Sequence, residues 1–197
     1  MILKKSFYQR DTITVAKDLL GKLLVREING EEIVCRIVET EAYDGPFDKA
    51  SHAYKHRRTT RTEPMFHQGG ISYVYLIYGM YHCFNIVTGE EGYPAAILIR
   101  AVEPIYGLET LKKNRPIKST KRKDLTNGPG KLCQALQINK RLNGIDITKG
   151  ELLWVLKEEQ ESTIRIESSP RVNIDYAEEY RDKRWRFYIS DNEYVSR

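Results

Sequence analysis

The carboxylates of Glu39 and Glu41 follow an apolar stripe in the stretch EEIVCRIVETEAY. Strand alternation predicts that one face of this stretch carries Ile33, Cys35 and Ile37, and then Glu39, Glu41 and Tyr43. The strand would therefore run out of the core into a cleft, where desolvation raises the pKa of a carboxyl group and suits it to general base chemistry. The alternative is structural: the strand end is exposed, or each glutamate pairs with an arginine.

An arginine interrupts the apolar stretch AAILIRAV, which is typical of a strand buried on both faces. A buried guanidinium needs an acidic or phosphate partner, because an isolated charge is costly to bury. Arg100 could pair with one of the two glutamates in a structural role, or a glutamate and Arg100 could together hold a water molecule. The residues alone leave both interpretations open.

The stretch SYVYLIYGMYH contains four closely spaced tyrosines, namely Tyr73, Tyr75, Tyr78 and Tyr81. Residues 71–78 and 81–88 are predicted to be strands, so Tyr78, Gly79 and Met80 fall at a hairpin tip. A large ring and a thioether at such a tip lie outside a core. They suit a wedge of the kind that DNA-distorting proteins insert between base steps, although a contact between protein copies would use the same side chains.

Aromatic side chains in and before this stretch favour a pocket for a flipped base. Enzymes that act on a base extrude it and stack it between aromatic residues, and Tyr43, His52 and Tyr75 suit such a pocket. Electron-rich rings also attract a cationic base, such as an alkylated purine. Taken alone, each tyrosine is more often a packed residue with a satisfied hydroxyl.

Length and composition are those of one globular domain. The chain has 197 residues, of which 41% are hydrophobic and 30% charged, and this suffices for one sizeable core. Three widely spaced cysteines argue against a disulfide framework and a cysteine-based zinc site, and fit a reducing compartment. We identify no signal peptide and no apolar run that could cross a membrane, so the expected location is cytoplasmic.

Two basic segments stand out in a chain with a net charge of +5. The first, HRRTTR, contains Arg57, Arg58 and Arg61, and the second runs from Lys112 to Lys123. Each segment alone is typical of a solvated loop. Together they favour contacts with the phosphates of a nucleic acid.

The remaining pattern predicts a single α+β domain over residues 1–197. Helices are expected in DTITVAKDLLG, with Asp11 as N-cap, in YGLETLKKN and in NGPGKLCQALQI. An Asn29-Gly30 turn joins the first two strands, and ELLWVLK, STIRIE and RWRFYI are predicted to be further strands. Strands dominate the middle and helices are irregularly placed, which favours a mixed, mostly antiparallel sheet flanked by helices over a regular βαβ array.

Two enzyme classes with nucleotide substrates lack their sequence signatures here. A zinc base deaminase needs H-x-E and P-C-x-x-C pairs, which the sequence does not contain. The stretch GPGKL lacks the glycine spacing and the Ser or Thr after Lys131 that a P-loop requires. A non-catalytic module that binds duplex nucleic acid through the basic loops and Tyr78 remains the alternative to an enzyme.

Several long blocks of the sequence resemble one family. RIVETEAYDGPFDKASHA, YVYLIYGMYHCFNI, ILIRAVEP and GPGKLCQALQINK are similar, in the same order, to the alkyladenine (3-methyladenine) DNA glycosylases of the mammalian alkyl-purine type, in a short bacterial form. The resemblance implies one domain without metal or cofactor, with a protruding hairpin that inserts into DNA. It also implies release of 3-methyladenine, 7-methylguanine, ethenoadenine or hypoxanthine from duplex DNA, leaving an abasic site for base excision repair.

The resemblance implies catalytic roles for three residues. Glu41 matches the carboxylate that activates the attacking water, and Arg100 and the backbone carbonyl of Val172 match the groups that hold this water. The family usually has a glycine after Val172, where this chain has Asn173, and asparagine tolerates unusual backbone angles better than most residues. We see no lysine placed beside Glu41 and Tyr43 to form a Schiff base, so a monofunctional glycosylase is expected.

The resemblance also implies contacts with the damaged base and with the DNA backbone. Four residues match the lining of the flipped-base pocket, namely Tyr43, His52, Tyr75 and Asn85, the last of which screens against purines with an unwanted exocyclic amino group. The expected DNA contacts are Tyr78 as the intercalated residue, Met80 beside it, Lys131 at a phosphate, and Arg57, Arg58 and Arg61 in the basic loop. The expected partner is duplex DNA with a damaged purine, bound by a monomer.

Overall fold

The fold begins with two helices, of which the second confirms the helix predicted in DTITVAKDLLG and the first was not predicted. The computed structural model describes residues 1–158 and 163–196. Helix α1 spans Lys5–Tyr8 and helix α2 spans Thr12–Asp18. The Asp11 side chain accepts a hydrogen bond from the Thr14 amide, which satisfies a free N–H group of the first turn and confirms the predicted N-cap.

Eight strands form one sheet, in which all strand pairings of the described residues are antiparallel. In chain order they are β1 (Leu23–Ile28), β2 (Glu31–Tyr43), β3 (Ser72–Ile77), β4 (Tyr81–Val87), β5 (Ala96–Tyr106), β6 (Leu153–Leu156), β7 (Ile166–Ser169) and β8 (Arg186–Ile189). The sheet order is β3-β4-β5-β2-β1-β6, and β8 joins β7 to β2. The predicted α+β architecture with a mostly antiparallel sheet is confirmed.

Two further helices pack beside the sheet. Helix α3 spans Leu108–Asn114, and α4 spans Pro129–Ala135 with its proline in the first turn, where the missing N–H has no cost. Among the residues that the structure describes, every helix is too short or too polar to cross a membrane. The strand predicted in STIRIE begins only at Ile166, so its predicted start is wrong, and Ser162 lies outside the described residues.

Both predicted hairpins are present. Asn29 and Gly30 join β1 to β2 with φ angles of 53° and 83°, as a two-residue turn with positive φ at both positions requires. Tyr78, Gly79 and Met80 join β3 to β4. Tyr78 and Met80 are 74% and 65% exposed at this tip, so the β3–β4 hairpin presents large side chains to solvent.

A pair of bulges interrupts the ladder between the central strands β2 and β5. Strand β2 has an extra residue at Val38, between Ile37 and Glu39, and β5 has a matching extra residue at Arg100. A bulge places two successive residues opposite one and breaks the regular alternation of faces. The extra residues at Val38 and Arg100 lie on opposite strands, so they compensate and the ladder continues beyond them, whereas a further irregularity of β5 lies near its end, at Ile105.

The bulges reverse the side of β2 that faces the main core, which is the largest cluster of buried apolar residues. Before the bulge this core contains Ile33, Cys35 and Ile37. After the bulge it contains Ala42, and the Thr40 hydroxyl donates to the Ala16 carbonyl in α2. The prediction that Glu39, Glu41 and Tyr43 continue the apolar face is therefore wrong. These three side chains lie on the opposite face, because alternation does not hold across a bulge.

Candidate active site

A cavity of about 530 Å³ opens between the β3–β4 hairpin, the adjoining parts of β2 and β5, and the start of α4. Its volume is typical of a small-molecule pocket. The lining includes Tyr43, His52, Tyr73, Tyr75, Tyr78, Cys83, Asn85, Leu98, Arg100, Lys131 and Val172. The fold therefore brings the predicted base-pocket residues to the same cavity as two of the three predicted catalytic residues.

Glu41, the third predicted catalytic residue, lies at the edge of this cavity and is fully buried. Its Oε1 accepts a hydrogen bond from the Val172 amide at 2.7 Å, and its Oε2 accepts one from the Tyr43 hydroxyl at 2.9 Å. Arg100 Nη1 lies 3.3 Å from Oε2. These three partners all line the cavity. A carboxylate has about four acceptor positions, so Glu41 retains capacity for a water molecule.

Glu39 is equally buried, but protein donors fill its hydrogen-bonding capacity. Its Oε1 accepts from Arg100 Nε at 2.9 Å, Arg186 Nε at 2.6 Å and the Ser196 hydroxyl at 2.8 Å. Its Oε2 accepts from the Ser196 amide at 2.6 Å. Neither glutamate is itself among the residues that line the cavity, but all three partners of Glu41 line it, whereas Arg186, a partner of Glu39, does not. The structure therefore distinguishes two glutamates that the sequence pattern treats alike.

Arg100 connects the two glutamates. Its Nε donates to Glu39, its Nη1 faces Glu41, and its Nη2 donates to the Ser196 hydroxyl at 3.1 Å. Burial lowers the pKa of Arg100, but the negative charges of Glu41 and Glu39 outweigh burial and raise it above the ordinary value. Arg100 thus makes a structural ion pair and also presents a cation at the cavity wall.

Three aromatic side chains form one wall. The rings of His52 and Tyr75 meet edge to face with centroids 4.6 Å apart, and the Tyr73 and Tyr75 centroids are 5.3 Å apart. His52 Nδ1 lies 2.9 Å from the Tyr73 hydroxyl. The Asn85 amide donates to the Tyr73 carbonyl at 3.0 Å. Because each group contacts the next, the wall is preformed for stacking against a flat ligand.

The protonation of His52 makes a testable contribution to stability. Burial, with added repulsion from Arg61, lowers the pKa of His52 from 6.5 to about 4. Between these values the unfolded chain binds a proton that the folded chain does not, so folding stability falls as the pH falls from 6.5 towards 4. In the wild type this effect lowers the free energy of unfolding by up to about 3 kcal/mol between pH 6.5 and 4, and we expect His52→Gln to abolish it. Urea unfolding at several pH values in this range measures it.

The exposed His67 supplies the control for this measurement. His67→Gln should leave the decline as steep as in the wild type, because the His67 side chain is exposed and does not line the cavity. A decline that is equally steep in His52→Gln and in the wild type would contradict the assigned pKa.

A second buried ion pair contacts Tyr43 but does not line the cavity. The side chains of Arg171 and Asp48 are fully buried and share two hydrogen bonds of 2.5 Å and 2.8 Å. Arg171 also donates to the Ala42 carbonyl at 2.8 Å. Its guanidinium lies 4.7 Å from the Tyr43 ring centroid and 5.1 Å from that of Trp185. The segment that carries Val172 is thereby fastened to the end of β2.

The residue after Val172 has an unusual backbone conformation. Asn173 has a φ angle of 58°, in the left-handed region that glycine adopts most readily. Among other residues, asparagine is one of the most frequent there. The expectation that Asn173 can take the place of the family glycine is consistent with this geometry.

The open side of the cavity is aromatic and basic. Tyr78 and Lys131 contribute to its lining, whereas Met80 does not. Lys131 Nζ donates to the Asn127 side chain at 2.8 Å. Arg115 also lines this side and donates to the Asp124 carbonyl at 2.7 Å. Arg115 belongs to the second basic segment, Lys112 to Lys123, in which no feature of the sequence singles it out.

The three arginines of HRRTTR have different surroundings. The Arg61 guanidinium lies 4.9 Å from the Tyr75 ring centroid. Arg57 and Arg61 line a smaller cavity of about 320 Å³ that shares His52 with the larger one. Arg58 instead pairs with Glu63 at 2.6 Å. Arg57 and Arg61 are thus placed beside the candidate site, and Arg58 is not.

Several residues that support the site have no recognisable signal in the sequence. Arg171 directly precedes Val172, and Asp48 lies within a block already noted, but no local pattern indicates that they pair. Ser196 contacts Glu39 from 157 positions away in the chain. A contact of this sequence separation leaves no local signal.

Comparison with known proteins gives one consistent family. The family model for methylpurine-DNA glycosylase (MPG) matches residues 6–193. A protein of Natranaerobius thermophilus named "Putative 3-methyladenine DNA glycosylase" is 56% identical over 196 residues, covering 100% of this chain and 99% of its own. Proteins with the same name from Desulfitobacterium hafniense and Clostridium botulinum are 53% and 50% identical, and cover 98% and 100% of both chains, respectively.

Proposed function

Because this chain belongs to the methylpurine-DNA glycosylase family, we propose that it flips damaged purines out of duplex DNA and hydrolyses their N-glycosidic bond with a water activated by Glu41. DNA glycosylase activity in base excision repair follows from the family. The finer proposal is carried by one observation: a buried carboxylate at the edge of an aromatic cavity, held by Tyr43, Arg100 and Val172. The proposed bases are 3-methyladenine, 7-methylguanine, ethenoadenine and hypoxanthine.

The chemistry requires a base and a positioned water. As the glycosidic bond breaks, its electron pair leaves with the purine and the sugar acquires oxocarbenium character. The anionic Glu41 stabilises this charge and removes a proton from the attacking water. The water oxygen bonds to the sugar carbon, and the products are a free purine and an abasic site.

The partners of Glu41 supply the positioning. Arg100 Nη1 is available at the cavity wall because its other nitrogens are anchored to Glu39 and Ser196. We assign Glu39 the role of a positioning residue that acts through Arg100. The amide of Val172 fixes Glu41, and its carbonyl is the proposed third ligand of the water.

The charge of the leaving base determines whether a general acid must protonate it before or during departure. Purines alkylated at N3 or N7 are cationic and leave as neutral molecules. Hypoxanthine and ethenoadenine are neutral and need a proton to leave easily. Because the pKa of His52 is about 4, this ring is neutral at physiological pH and offers a hydrogen bond instead of a proton.

The site supports hydrolysis without a lyase step. A lyase needs a lysine amine that attacks the sugar and forms a Schiff base. The partners of Glu41 given above include no lysine, and Lys131 in the cavity wall is engaged with Asn127. We therefore propose a monofunctional enzyme, with one domain in each chain and a monomer as the working unit.

Base release from duplex oligonucleotides tests the function. The protein is incubated with duplexes that carry one 7-methylguanine, one ethenoadenine or no lesion, and abasic sites are scored by alkali cleavage. Release from the lesion duplexes alone is the expected result. Tight binding to all three duplexes without release would contradict the proposed enzyme and favour a DNA-binding module.

The exposed Tyr78 provides a separate prediction about DNA distortion. Its ring projects from the β3–β4 hairpin, so we propose that it fills the space that the flipped base leaves. Stacking of a base on an aromatic ring contributes about 1–3 kcal/mol, so Tyr78→Ser should weaken binding to an ethenoadenine duplex by about tenfold or more. Thermal unfolding should be nearly unchanged, because the side chain is 74% exposed.

Tyr106→Ser is the matched control for this substitution. Tyr106 is 64% exposed at the end of β5 and is absent from the cavity lining. Its removal should leave duplex affinity unchanged. Equal affinities of the Tyr78→Ser variant and the wild type for the lesion duplex would rule out the wedge role.

A further inference from the structure

We propose that the buried Asp48–Arg171 pair sets the charge preference of the base pocket, allowing it to favour a cationic purine over a neutral purine of the same shape. The inference rests on the proposed function, because it concerns the base that the cavity would hold. Neither residue lines the cavity. Their effect on the base is transmitted through Tyr43, so they are specificity-determining residues and not catalytic ones.

Tyr43 separates the cavity from the Arg171 guanidinium. The tyrosine lines the cavity, whereas the Arg171 side chain is fully buried and lies 4.7 Å from the ring centroid. Trp185 packs against the same guanidinium at 5.1 Å. A base stacked on Tyr43 would therefore have a fixed positive charge on the far side of the ring.

An unpaired Arg171 would oppose a cationic base in two ways. The electron-rich face of an aromatic ring attracts cations, and a guanidinium on one face weakens this attraction at the other face. The guanidinium also repels a cationic base directly, over a distance that burial leaves poorly screened. A neutral base would experience neither penalty.

The carboxylate of Asp48 offsets both unfavourable effects of the Arg171 charge on a cationic base. This carboxylate bonds both terminal nitrogens of Arg171, so the two charges nearly cancel when viewed from the cavity. Burial lowers the pKa of Arg171, but Asp48 raises it more, and the guanidinium stays charged. The arginine still donates to the Ala42 carbonyl, which fastens the end of β2. The pair therefore supplies positioning without adding net charge beside the base.

The test compares two duplexes that differ in the charge of one base. One carries 7-methylguanine, which is cationic, and the other carries 7-methyl-7-deazaguanine, its neutral isostere. A Glu41→Gln background prevents release during the measurement. The duplexes compete for the same protein, so the ratio of their dissociation constants does not depend on the fraction of protein that is folded.

Three variants change the charge behind Tyr43 in different directions. Asp48→Asn leaves Arg171 uncompensated and should lower the preference for the cationic duplex by about thirtyfold, as expected for a unit charge about 8 Å away at an effective dielectric constant of about 20. Arg171→Gln leaves Asp48 uncompensated and should raise the preference. The double variant removes both charges and should restore the ratio of the parent.

The outcomes separate this inference from the proposed function. Opposite shifts in the two single variants, with recovery in the double variant, would establish the inference. An unchanged ratio in a single variant that binds the duplexes, a loss that persists in the double variant, or a parent that binds both duplexes equally would overturn it. Release of 7-methylguanine by the protein with Glu41 intact is measured independently, and only its absence counts against the proposed function.

Discussion

Replacing Glu41 with glutamine is expected to lower single-turnover release of 7-methylguanine by about a thousandfold, with duplex binding retained. Glutamine has nearly the same shape and can still accept a hydrogen bond from the Val172 amide or the Tyr43 hydroxyl. It cannot take a proton from water or stabilise positive charge on the sugar. The measurement is alkali cleavage with enzyme in excess over lesion duplex, together with fluorescence anisotropy for binding.

Glu39→Gln is the matched control, because Glu39 has the same burial and lies two positions away in the same strand. It should slow release far less, by about tenfold, since it would only loosen the anchor of Arg100. Full release in Glu41→Gln together with its loss in Glu39→Gln would move the general base to Glu39. Unimpaired release in both variants would remove both carboxylates from the mechanism.

Arg100→Met is expected to lower the free energy of unfolding by about 3–5 kcal/mol, because it leaves buried carboxylates without their shared cation. The Arg100 side chain is 9% exposed, and those of Glu39 and Glu41 are fully buried. Release should also fall sharply, since the variant lacks the group proposed to hold the water. Urea unfolding gives the stability, and single-turnover release at a temperature where the variant is folded gives the activity.

Arg186→Met separates the two effects of Arg100. Arg186 binds the same Glu39 oxygen, but its side chain is 16% exposed and it has no ion pair with Glu41. We expect a smaller loss of stability and release close to that of the wild type. If the two variants lost stability and activity to the same extent, Arg100 would have no role beyond pairing with Glu39.

The fold was predictable at the points where a single residue type determines the local backbone conformation. Asp11 caps α2, the Asn29-Gly30 pair turns with two positive φ angles, and Pro129 begins α4. In each case the physical cause acts within a few residues, so the sequence pattern contains it. The hairpin tip at Tyr78 was predictable for the same reason.

The orientation of β2, which carries the proposed base Glu41, was not predictable from alternation. Val38 is a β-branched apolar residue, which suits any position of a buried strand. Nothing in its type indicates that it is the inserted residue of a bulge. Glu41 lies beside the cavity through its partners Tyr43, Arg100 and Val172, but it does so from the face opposite the main core and not as a continuation of the apolar stripe.

Contacts between distant parts of the chain account for the rest. The environment that distinguishes Glu39 from Glu41 is made by Arg186 and Ser196, more than a hundred residues later. The pair of Asp48 and Arg171 is 123 positions apart. Such partners are set by how the sheet brings β8 and the last residues against β2, which no local pattern expresses.

The paired bulges make the length of β2 as important as its composition. Deletion of Val38 would restore regular alternation in β2, with Thr40 and Ala42 still towards the main core and Glu41 still on the opposite face. It would leave the extra residue at Arg100 in β5 without its counterpart, so β2 and β5 would slide past each other by one residue and Glu41 would lose its present position relative to Arg100. Exchange of Val38 for another apolar residue would keep both faces in place. Natural variation at this point is therefore expected to change residue types while keeping the number of residues constant.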